Sequence, residues 1–154
     1  VVAKTARPAR WACRRPVGHV RTNNTAFWEI PMSVRFLRIA AVYFVVAIAL
    51  GLYMGITEKF TQVPVHAHLN LLGWVSMALF GLIYHAHPTA GQTKLASWHF
   101  WIHNLSLPVF MAALFLMLAG NPALGPVVGL AATVTLIGIV LFAINLWRTM
   151  PSAA

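Results

Sequence analysis

Four apolar runs, each close to the length that crosses a bilayer, decide what this chain can become. They extend from about Phe36 to Ile56, Val65 to Tyr84, His99 to Ala119 and Pro126 to Trp147. A helix needs about 20 mostly apolar residues to span hydrocarbon. The breaks between the runs carry turn and helix-stop chemistry: Thr57 to Pro64 with Glu58 and Lys59, His87-Pro88 to Ser97, and Gly120-Asn121-Pro122 to Gly125. Trp98, Trp101 and Trp147 fall where amphipathic rings settle at membrane–water interfaces. Only 8% of residues are charged, against about 25% in a soluble domain. A soluble exterior is therefore out of reach. The expected fold is all-α, an integral membrane four-helix bundle over residues 32–154, preceded by a basic tail over 1–31.

The formal charge of +9 is a property of that tail. Lys4, Arg7, Arg10, Arg14, Arg15 and Arg21 lie there, with Glu29 as the only acid. The remainder sets Arg35, Arg38, Lys59, Lys94 and Arg148 against Glu58, a net +4. Nucleic acid is not an expected partner of such a body. The tail has no helical period and carries Pro8, Pro16 and Pro31, so it is expected to be disordered. It reads as an arm on anionic lipid, a targeting segment, or residues ahead of a true start at Met32; the basic lead Arg35 to Arg38 into an apolar run favours the last.

Counting Lys and Arg near the span ends orients the bundle. Arg35, Arg38, Lys94 and Arg148 fall on one side and Lys59 alone on the other. Both termini are expected inside, in a bacterial inner membrane, with His66 and His68 at the outer face.

Composition also removes whole classes of chemistry. Two acidic residues in the chain exclude carboxylate cages for calcium or magnesium. One cysteine excludes an intrachain disulfide and a cysteine-ligated cluster. Unusual chemistry must come from the seven histidines. Six of them, His66, His68, His85, His87, His99 and His103, lie at the ends of the second and third spans. Histidine at membrane depth carries a cost that a partner or a function must offset, although imidazole at a span end is also simply well hydrated, as His87 beside Pro88 should be.

On a regular helix, His66 shares a face with Asn70, Gly73, Met77, Gly81 and Tyr84, a small and polar stripe suited to close helix packing. His68 shares its face with Leu72, Val75, Leu79 and Leu82, an aliphatic wall that suits lipid or the flat face of a porphyrin. His99 and His103 are spaced i, i+4, so both rings leave one face and can bind one metal ion or flank a cofactor. His85 is expected at a similar depth, which makes an inner site with the pair an alternative.

The string His66-Ala67-His68-Leu69-Asn70-Leu71-Leu72-Gly73-Trp74, followed by His99-Phe100-Trp101-Ile102-His103-Asn104, resembles the early helices of the haem–copper oxidase subunit I superfamily. In that family the second helix carries, near its outer end, an axial histidine of the low-spin haem. The His-x-Asn of the nitric oxide reductase-like branch falls on His68 and Asn70, so the resemblance implies His68 as the haem ligand, with His66 as the alternative register. The positions His66, Ala67, His68, Leu71, Gly73 and Trp74 are also similar to a second family, haem- and copper-containing membrane proteins of the nitric oxide response.

The departures matter equally. The oxidase subunit has about twelve helices, and its binuclear oxygen-reducing centre needs histidines on late helices. The fourth span here has no histidine. Oxidase activity is not expected of this chain alone. The expected function is haem b binding in electron transfer, sensing or as a small unit of a respiratory complex. Met54, Met117 or the same histidine of a second subunit would complete the iron's coordination, so a homo-oligomer or respiratory-complex subunits are the expected partners besides lipid. A cofactor-free assembly protein, or a copper relay through His66, His68, His99 and His103 with Met54 or Met117, is the rival reading.

Overall fold

The computed structural model describes residues 30–150; the basic tail, apart from Ile30 and Pro31, lies outside them. Four long helices follow one another: α1 (Met32–Thr57), α2 (Val63–Ala86), α3 (Lys94–Leu118) and α4 (Gly125–Thr149). Each belongs to a segment long and apolar enough to cross a membrane. The chain is an all-α membrane bundle, and its outer side chains, such as Val45, Leu52, Leu105 and Leu130, are exposed to lipid.

Local chemistry sets the helix ends. Glu58 closes α1 in the left-handed region, with φ of 54°, a conformation that a glycine usually supplies. Pro64 sits in the first turn of α2, where a missing N–H costs nothing. The Thr93 side-chain oxygen caps α3 by accepting from the Ala96 N–H at 3.0 Å. Connections this short make neighbouring helices antiparallel.

Helix α2 is not regular. Its buried residues Val65, Leu69, Gly73, Met77 and Gly81 recur every four positions. In an α-helix each such step overshoots by about 40°, so the five would wind through about 160°. A π-helical stretch, Leu69–Val75, takes up the excess, and the Ser76 N–H reaches back five residues to the Leu71 carbonyl. This corrects the wall expected beside His68. Leu72 turns inward and packs half-buried against the core, while Leu71, 61% exposed, takes its place in the lipid-facing row with Val75, Leu79 and Leu82.

Two glycines allow the close approaches that place histidines. A Cβ on Gly51 of α1 would lie 2.8 Å from Cε1 of His66. One on Gly138 of α4 would lie 3.3 Å from the backbone nitrogen of His103. Small residues let membrane helices meet this way. Polar atoms within the bundle are paired across helices. The Ser106 and Thr135 hydroxyls are 2.8 Å apart between α3 and α4. Asn145, fully buried, donates to the Ala90 carbonyl at 2.8 Å and accepts from the Thr93 hydroxyl at 2.7 Å. It thereby ties the end of α4 to the turn between α2 and α3.

Candidate functional site

The histidines singled out by sequence separate into three environments. His66 faces α1, as its small-residue stripe implies. Its Nδ1–H donates to the Ala47 carbonyl at 2.9 Å, and its Nε2 lies 3.3 Å from Asn70 Nδ2. The same Asn70 amide donates to the His66 carbonyl at 2.9 Å. Both ring nitrogens are thus occupied, Nδ1 in tying α2 to α1 and Nε2 by Asn70 one turn further along α2.

His68 has a different arrangement. Its Nδ1 is 2.7 Å from the Pro64 carbonyl oxygen. A carbonyl only accepts, so Nδ1 carries the hydrogen and Nε2 carries the lone pair. The ring is half-buried and meets the Phe110 ring of α3 edge-on at 5.2 Å. A ring held by Nδ1–H to a backbone carbonyl, with Nε2 left as acceptor, is how a metal-ligating imidazole is oriented. Just beyond it run Leu71 and Val75, exposed apolar side chains. His68 therefore fits the requirements of an axial ligand, and His66 does not without giving up a hydrogen bond. Met54 is buried in α1, and the Met117 sulfur lies 4.0 Å from the Cβ position of Gly125; neither sulfur has a described contact with the His68 ring.

His99 and His103 form the third environment, fully buried in the bundle. Their ring centroids are 5.9 Å apart. His103 Nε2–H donates to the Leu72 carbonyl at 3.2 Å, the carbonyl that follows the last widened turn of the π-helical stretch. His99 Nδ1 lies 3.1 Å from the Tyr84 hydroxyl. Around His99 stand Phe36, stacked at 4.9 Å, Phe80 at 4.6 Å and Phe142 at 5.2 Å. The sequence marked the two histidines by their spacing but not this aromatic cage, whose members come from three other helices. The i, i+4 spacing of Phe80 and Tyr84 was the one local hint.

His85 is exposed, as is His87. It lines a cavity of about 510 Å³ at the Arg-rich end with Ser33, Tyr84, Pro88 and Gln92, and it makes no described ring contact or hydrogen bond with His99 or His103. Among the described residues, no three His, Cys, Asp or Glu side chains converge as a metal site.

The comparisons with known proteins point the same way as the motif. Over 56 aligned residues the chain is 34% identical to a cytochrome c oxidase subunit 1 homolog, bacteroid, of Bradyrhizobium diazoefficiens. The identity is 34% to cytochrome c oxidase subunit 1 of Rhodobacter capsulatus and 38% to a cytochrome c oxidase subunit 1 homolog of Agrobacterium tumefaciens. In each case the match covers 32% of this chain and 10% of the relative. The chain thus resembles a part of subunit 1. No family model and no solved structure matches.

Proposed function

We propose that this chain is a haem b-binding protein of the bacterial inner membrane that serves electron transfer in a respiratory setting, with His68 as an axial ligand. The observation that carries this reading is the His68 ring itself: hydrogen on Nδ1 directed to Pro64, lone pair on Nε2, half-buried at the end of α2 opposite the arginines. Bound there, haem would supply reversible one-electron chemistry. Pro64 fixes the tautomer and rotation of His68, Phe110 limits its swing toward α3, and the row beginning with Leu71 and Val75 excludes water. His66 ties α2 to Ala47 of α1, and Asn70 steadies the His66 ring, so that this end of the helix keeps its position. Both termini are inside in this reading, by the bias of Arg35, Arg38, Lys94 and Arg148 over Lys59. His68 of a second copy across a two-fold axis would complete the coordination without a new residue type.

The test is the visible spectrum of the full chain, expressed with haem supplied and purified in detergent, oxidised and reduced. Low-spin bands are expected, lost in His68→Ala and retained in His66→Ala and His87→Ala. A folded protein that takes up no haem refutes the proposal. Bands that vanish with His66 instead move the ligand by two residues.

A further inference from the structure

Among the described residues, the buried side-chain polar atoms without a hydrogen-bond partner are Gln62 Oε1, His99 Nε2, His103 Nδ1 and Asn104 Oδ1. Two of these four belong to consecutive turns of one helix and to one aromatic cage. A buried polar atom left unpaired has lost its water for nothing, so such atoms mark a missing occupant.

The bonding on the other nitrogens says what kind. The Leu72 carbonyl can only accept, so His103 Nε2 holds the hydrogen and Nδ1 presents a bare lone pair. The Tyr84 hydroxyl, 3.1 Å from His99 Nδ1, can accept as well as donate, and in the tautomer with hydrogen on Nδ1 His99 Nε2 presents a second lone pair. One nitrogen tied to an oxygen acceptor and the other left as a lone pair is the state of a metal-binding imidazole. Centroids 5.9 Å apart allow one ion to bridge the rings with metal–nitrogen bonds of about 2.0–2.1 Å.

The surroundings select the ion. The cage walls, Phe36, Phe80 and Phe142, are uncharged, and the one described carboxylate, Glu58, is exposed in the loop after α1. A divalent ion would keep its full charge in this apolar cage. With no third His, Cys, Asp or Glu converging, the four ligands of structural zinc are also absent. A monovalent d¹⁰ ion content with two imidazoles meets both limits, and aromatic faces within about 6 Å favour a cation. Tyr84, which touches the cage, also lines the 510 Å³ cavity that holds His85.

We infer that His99 and His103 form a buried two-imidazole site for copper(I), oriented by Leu72 and Tyr84. It uses residues separate from His68, so it stands or falls independently of the haem reading.

The experiment is an anaerobic titration of the purified full chain with cuprous ion against a chromophoric cuprous chelator, followed by X-ray absorption of the loaded protein. One copper per chain is expected, with two nitrogen neighbours and no sulfur. His99→Asn should reduce retention at least tenfold, and His103→Gln equally; His68→Ala and His85→Ala should leave it unchanged. Tyr84→Phe keeps both imidazoles and should weaken binding roughly 10–100-fold, the usual effect of losing a partner that orients a ligand. Helical circular dichroism and a single elution peak identify the variants that fold; should His103→Gln misfold, His99→Asn and Tyr84→Phe decide. Folded wild-type protein that retains no copper overturns the inference, as does copper with sulfur neighbours or copper that survives His99→Asn. In those cases the lone pairs belong to bound water.

Discussion

Gly51→Ala isolates the contact that seats His66. The new methyl would stand 2.8 Å from Cε1 of the ring and 3.2 Å from Nδ1, and the ring is not free to retreat. Its Nδ1–H is committed to the Ala47 carbonyl at 2.9 Å, and Asn70 closes the other side. Either the ring leaves that carbonyl, which costs about 0.5–1.5 kcal/mol for the hydrogen bond, or α1 and α2 move apart, with an overpacking cost of about 1–3 kcal/mol. Gly55 lies one turn further along the same helix, and a Cβ there meets nothing within 4 Å. Gly55→Ala therefore shares whatever helix propensity the methyl brings and none of the clash. We expect Gly51→Ala to be less stable than Gly55→Ala by about 1–3 kcal/mol, the range spanned by those two costs. The assay is unfolding of the detergent-solubilised protein by increasing mole fraction of a denaturing surfactant, followed by helical circular dichroism. In the His66→Ala background the penalty should disappear, because the two side chains are direct neighbours and their effects are coupled. Equal stability of Gly51→Ala and Gly55→Ala would refute the packing argument and, with it, the structural role given to His66.

Gly138→Val should loosen the contact of α4 with the His103 backbone, where the Cβ position already lies 3.3 Å away; a loss of about 1–3 kcal/mol in the same unfolding assay is expected. Asn145→Ala removes the bonds to the Ala90 carbonyl and the Thr93 hydroxyl, which remain 3.2 Å apart as a pair of their own, so a loss of about 0.5–1.5 kcal/mol, that of a hydrogen bond rather than of an unpaired buried group, is expected. A reporter enzyme fused after Ala154 should be active only when read from the cytoplasm, and one inserted beside Lys59 only from outside. The reverse pattern would place His68 at the inner face.

Much of the architecture is legible from residue type alone. Apolar runs bounded by Glu58, Pro88 and Gly120 give four spans, because hydrocarbon imposes a length and tolerates few charges. The small stripe from His66 to Gly81 correctly announces the seam with α1, since Gly51 and Ala47 there accept the imidazole. Leu72 was misplaced for a specific reason. A regular wheel assumes 3.6 residues per turn, and nothing in Leu69–Val75 signals by composition that the chain is wider there. The environment of His99 and His103 was hidden for another. Phe36, Phe80 and Phe142 belong to different helices, and a one-dimensional pattern carries no information on which of them meet. Asn145 stands in sequence near the end of an apolar run, and its partners lie 52 and 55 positions away, beyond the reach of any local pattern.

The widened turn in α2 also makes that helix a shaft in two pieces joined by a coupling. Removing any one residue between Leu69 and Val75 would let the coupling close into ordinary α-helix. The span would stay long enough to cross the membrane, and its outer piece, Val63–His68, would keep its rotation against the inner one, because the deletion and the closing of the wide turn cancel. His68 would stay against Phe110 and His66 against Ala47, while the Leu72 carbonyl, drawn back into the regular ladder, would no longer be offered to His103. A single deletion there would thus touch one histidine and spare the others, whereas the same deletion in the regular turns of Ser76–Ala86 would rotate one end of the helix against the other by about 100° and unseat them all.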